Sequence, residues 1–195
     1  MGKIRSALEI ALERTESVKS DKGSIGLFEA KQKGKKLANE FLEGTVKSLE
    51  EEVKKVSKEE QVNLKQGIFD ILISQITLPV VKEELQRIEN AAKGLNAIIG
   101  SRKFGEIAKQ LGQILNQYLD EAAQYEEAIK RQYAPKLRQK EEELSRRMGR
   151  QVKLDPFQDP EFVAFFNQNM NTLKSNYQAA VDEVREEAVR LFEGE

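Results

Sequence analysis

The chain contains no histidine, no cysteine and no tryptophan. Without His or Cys it lacks the commonest general base, the thiol nucleophile and the usual zinc ligands. Disulfides and the Glu-x-x-His pairs of di-iron bundles go with them. Proline is scarce, only 4 in 195 residues, so long stretches are free to be helical. An excess of one charge is also missing: 32 Lys and Arg against 33 Asp and Glu leave a formal net charge of −1. Bulk attraction of the whole chain to nucleic acid or an acidic membrane is therefore not implied. No hydrophobic run approaches the ~20 residues of a transmembrane helix. The most apolar one, Ile68 to Val81, is interrupted by Asp70, Ser74 and Gln75. The amphipathic N-terminus carries Glu9 and Glu13 and has no apolar signal core. Met1-Gly2 with Ser6 matches the myristoylation pattern, which is short enough to arise by chance. The expectation is a soluble, cytoplasmic protein without a cofactor.

What is present is helical periodicity. Hydrophobic residues make up 39% and charged residues 33%, a balance that leans toward long-helix proteins. Val81, Leu85, Ile88, Ala92, Leu95 and Ile99 fall on a single stripe at steps of three and four. The same spacing predicts a first helix over 3–18, a turn over 20–26 and a second helix over 27–56, weakened by Gly34 and Gly44. Ser57 and Glu60 form a capping-box signature for a third helix reaching about Leu78. Pro79 then suits the start of a fourth helix that ends at Gly100. From Phe104 to Ile129 a seven-residue repeat is strict, and Pro135 should kink or break the helix that carries it. Asp159-Pro160 opens the last helix with a cap and a first-turn proline. The small residues Gly105, Ala108 and Gly112, with Ala91 and Gly94, suggest close helix packing. No segment alternates like a strand.

Lengths decide the architecture. A straight helix over 101–148 would span on the order of 70 Å, whereas a compact chain of this size has a radius of gyration of about 16 Å. The predicted fold is all-α: a short antiparallel helical bundle with a long projecting antiparallel coiled-coil hairpin. The bundle takes residues 1–119. The hairpin takes 120–195, with its tip loop at 149–159.

Three features are candidates for function. Residues 130–153 hold nine Lys or Arg against three Glu, a local charge of +6 that leaves −7 for the remainder. Within that strip Arg146, Arg147, Arg150 and Lys153 lie near the expected tip, placed to meet an anionic partner. Phe157 sits between two Asp-Pro pairs, either as an aromatic anchor for a partner or, the favoured expectation, as a seal on the hairpin end. Ile68, Ile71 and Leu78 make the 68–81 segment apolar on more than one face, which predicts a central helix or an oligomer interface. The glutamate runs at 50–52 and 141–143 lie in polar stretches and should face solvent. No arrangement of nucleophile and base is visible, so no enzyme is expected. The leading expectation is a structural or adaptor protein acting through helix–helix contacts and self-association as a homo-oligomer. The alternative is an anion-binding module using the basic strip on an acidic protein, acidic lipid or, less favoured, nucleic acid.

Overall fold

The computed structural model describes residues 26–194, so the expected helix over 3–18 and the Gly2 lipidation pattern lie outside the described residues. Among the described residues the protein is all-α, without a strand. The helices are α1 (26–42), α2 (Leu49–Lys54), α3 (Lys58–Ser74), α4 (Glu84–Ile99), α5 (Arg102–Met148) and α6 (Pro160–Glu193), with a short 3-10 turn at Pro156–Gln158. They form two compact units that interleave along the chain. The first takes the described residues through Gln75 together with Asn90–Arg102; the second takes Ile76–Glu89 and everything from Lys103 onward.

In the first unit the expected single helix over 27–56 is two. Gly44 adopts φ +81, a left-handed conformation that ends α1, and α2 restarts at Ser48, whose hydroxyl accepts the Glu51 N–H at 3.3 Å. Gly34 has a different purpose. A Cβ there would lie 2.1 Å from the Leu64 carbonyl oxygen, and one on Gly67 would lie 2.0 Å from the Lys31 carbonyl oxygen. The backbones of α1 and α3 therefore touch at a reciprocal glycine crossing. Beside it Lys31 and Asp70 pair at 2.8 Å. Partial burial pushes the Asp70 carboxyl up, but hydrogen bonds from Lys31 and Gln66 outweigh it and hold the pKa below its ordinary value. Leu49, Leu64, Ile68, Leu72 and Leu95 close the core with almost no exposed surface. Gly94 fits here too, facing Leu72 and Phe41, so its small size serves this unit.

Helix α3 stops at Ser74, short of the expected Leu78, and α4 begins at Glu84 rather than at Pro79. A proline at 79 would clash with the Gln75 carbonyl four residues back in a continued helix and disfavours helical backbone at Leu78, so the helix ends ahead of it. Ile76 and Pro79 are buried, Val80 is 84% exposed, and the Glu84 carboxylate accepts the Val80 N–H at 2.7 Å.

In the second unit α5 and α6 run antiparallel. Lys103 pairs with Glu187 at 2.6 Å, the rings of Tyr118 and Tyr177 lie 5.1 Å apart, and those of Tyr133 and Phe162 lie 5.2 Å apart. The heptad positions Phe104, Leu111, Leu115, Tyr118 and Ile129 are buried as the repeat predicts, whereas Tyr125 stays 40% exposed. Pro135 does not break α5, which is continuous through it. Pro135 faces solvent, so water can serve the Arg131 carbonyl that the missing N–H leaves free.

Candidate functional site

The tip of the α5–α6 pair is built from the last third of α5 and the first turn of α6. Asp159 caps α6: its side chain accepts the Glu161 N–H at 3.1 Å, and Pro160 fills the first helical position. The same carboxylate is buried and does more. It accepts the Tyr133 hydroxyl at 2.9 Å and the Lys140 ammonium at 2.9 and 2.7 Å. Tyr133 and Lys140 are seven residues apart on α5 and so share a face directed at the cap. Lys140 also pairs with Glu161, which Lys136 approaches at 3.3 Å.

These contacts set the protonation states. Lys140 holds the Asp159 carboxyl below its ordinary pKa, against the burial that pushes it up. Glu161 is likewise held low by Lys140 and then Lys136. Hydrogen bonds to Asp159 and Glu161 raise the Lys140 ammonium, so it stays charged at neutral pH. Burial, then Asp159, raises the Tyr133 phenol. Every polar group is matched by a partner. A lysine kept protonated in this way is no nucleophile, so the cluster is built to hold two helix ends together.

The loop between them is tied down as well. The Val152 N–H donates to Ser145 Oγ at 2.9 Å and the Leu154 N–H to Glu141 Oε1 at 2.8 Å, so Glu141 anchors the loop instead of facing solvent as expected. Asp155 accepts the Phe157 N–H at 3.0 Å. Phe157 lies edge-on to Phe162 and Phe166, with centroids at 5.2 and 5.3 Å, and Lys130 sits over its ring. It nevertheless remains 45% exposed. Beneath it Ile129, Tyr133, Phe162 and Met170 form the local core.

The other candidate residues sort by their neighbours. Arg146, Arg147, Arg150 and Lys153 are all exposed. Arg147 pairs with Glu143 at 2.6 Å and Arg146 lies 3.9 Å from Glu142. Arg150 and Lys153 make no ion pair among the described residues, and neither does Arg138. Arg138, Arg146 and Lys153 line a shallow concavity of about 390 Å³ beside the loop. Ile68 is fully buried in the first unit and has no surface to offer an interface, while Ile71 and Leu78 are half-buried. Leu78 borders a groove of about 1020 Å³ in the second unit, walled by Pro79, Val80, Tyr118, Phe166 and Met170. Neither the polar cluster nor the groove stood out in the sequence. Asp159 is legible only as a helix cap, and the seven-residue spacing of Tyr133 and Lys140 is the one local signal for its partners.

Fold and tip together define an all-α protein whose second unit is a long antiparallel helix pair fastened at its turn. It belongs to a family of unknown function, DUF6657, whose pattern matches residues 50–190 and so takes in the tip and the groove. No curated protein and no solved structure matches the chain. No helix among the described residues is long and apolar enough to cross a membrane, and no group of His, Cys, Asp and Glu among them could hold a metal ion.

Proposed function

We propose that the chain is a non-enzymatic structural or adaptor protein that acts through helix–helix contacts, self-association among them. The observation that supports this most is the open, largely apolar groove of about 1020 Å³ on the second unit, with Val80 84% exposed at its edge. Contiguous exposed apolar surface of this kind marks contact sites on soluble proteins. The tip cluster supports the reading differently, since its charged groups are consumed in holding the scaffold. Val80→Lys and Ile71→Lys test it by light scattering at about 100 μM, a concentration at which even weak dimers form. The expected result is a lower mass with helix content unchanged. A monomeric wild type at that concentration overturns self-association.

A second reading has its own observation. Arg138 and Lys153 line the tip concavity beside Glu141 and Glu142, and Arg150 lies in the adjoining loop. None of the three cations makes an ion pair among the described residues, and they would suit an anionic partner such as an acidic protein, acidic lipid or nucleic acid. Replacing these three by Gln should abolish capture on heparin or anionic vesicles without changing thermal stability. Binding to a phosphate polymer would weaken steeply with salt. Retention by the triple variant equal to wild type removes this reading.

A further inference from the structure

From the charge order on the solvent-facing side of α5, we infer that a second copy of this chain docks there antiparallel to the first. The inference rests on the self-association proposed above and adds a second surface to the groove edge at Val80. Asp120, Glu127, Arg131 and Arg138 are all exposed. At 100° per residue they fall within an arc of about 40°. That arc lies opposite the buried Tyr118, Ile129 and Tyr133, which face α6. Between residues 120 and 138 this face reads acid, acid, base, base. Asp120 and Arg138 stand at equal distances on either side of residue 129, as do Glu127 and Arg131. A two-fold axis at that residue therefore sets Asp120 against Arg138 and Glu127 against Arg131, twice each, as an isologous contact requires. A parallel copy in register would set like charge on like. Asp120, Arg131 and Arg138 make no ion pair among the described residues; Glu127 has a loose one, 3.3 Å from Lys130 on its own helix. Ala123, Ala128 and Ala134 flank the charges and let the two backbones come close.

Size sets the strength. The strip is about 27 Å long and one helix diameter wide, some 300 Å² a side, well under the ~800 Å² of a standard interface. Association falls in the micromolar range, and the dissociation constant rises several-fold between 50 and 500 mM salt as exposed charges are screened.

Two charge-reversed variants decide the matter in sedimentation equilibrium. Arg131→Glu with Arg138→Glu makes the face wholly acidic, and Asp120→Lys with Glu127→Lys makes it wholly basic. Each alone should lose at least tenfold in self-affinity, while an equimolar mixture should form a heterodimer at least as tight as the wild-type pair. Recovery on mixing also shows that both variants are folded. If both variants self-associate like wild type, this face is not the interface and the self-association reading stands on other surfaces. If each is monomeric and the mixture stays so, charge complementarity is overturned. A monomeric wild type removes the inference and the reading together.

Discussion

Asp159 concentrates more roles than any other side chain described. It caps α6, takes the Tyr133 hydroxyl and neutralises Lys140 from a buried position. Asp159→Ala should therefore cost more than the ~1 kcal/mol of an ordinary cap. Stranding the Tyr133 hydroxyl adds about 1–3 kcal/mol, so a loss of about 2–4 kcal/mol is expected in urea unfolding. The pH dependence follows from the same carboxylates. Asp159 and Glu161 have folded pKa values held below their unfolded ones by Lys140, so they stabilise the protein above their unfolded pKa near 4. That stability is lost as pH falls through the lowered folded values. Melting temperature should be level from pH 8 to 5 and decline below about 4, and Lys140→Met should flatten the decline. Phe157 is the counter-case. Half-exposed against two rings, its truncation should cost about 1–2 kcal/mol, below the 3–5 of a buried Phe, whereas Phe162→Ala should reach that upper range.

Among the elements, α1 and α3 depend on their crossing. Alanine is the better helix former by about 1 kcal/mol, yet Gly67→Ala would drive a methyl to 2.0 Å from the Lys31 carbonyl. Overpacking against rigid backbone should dominate, for a net loss of about 2 kcal/mol in chemical denaturation. Helix α5 offers the opposite sign. Pro135 withholds one hydrogen bond from an otherwise continuous helix, so Pro135→Ala should stabilise by about 1–3 kcal/mol in the same measurement. Two other glycines mark how far the sequence can be read. Gly34 and Gly44 look alike in the sequence, as flaws in one long helix. Only the folded chain distinguishes them: Gly44, at φ +81, ends a helix, and Gly34 admits a neighbouring backbone. The long helices were legible because a seven-residue repeat is a local pattern. The end of α3 was misjudged because Ile76, Leu78 and Pro79 are as apolar as a helix interior, although the chain there has left the helix. At the tip the cap was legible, since Asp-Pro is a local signature. Its partners Tyr133 and Lys140, 26 and 19 residues away, were not.

For the whole molecule, the near-zero net charge conceals an uneven distribution. The basic strip of 130–153 sits within a chain that is otherwise acidic, and between Asp120 and Arg138 the outer face of α5 passes from acidic to basic. Self-association through such a face depends on ionic strength far more than association through an apolar groove. The salt profile of the dissociation constant therefore separates the two surfaces even before any variant is made. A profile flat from 50 to 500 mM would exclude the charged face.

The cluster at the hairpin turn has one more effect. A seam of apolar residues repeating every seven is nearly degenerate: slide α6 along α5 by one repeat and hydrophobic side chains still meet hydrophobic side chains. Tyr133 and Lys140 are themselves one repeat apart, so a slide sets Asp159 between Glu126 and Tyr133 in one direction and between Lys140 and Arg147 in the other. Only the native alignment gives the buried carboxylate a phenol and an ammonium together: one slip faces it with a second carboxylate, and the other takes away the phenol. The polar knot thus acts as an index mark, giving a repetitive surface a single alignment.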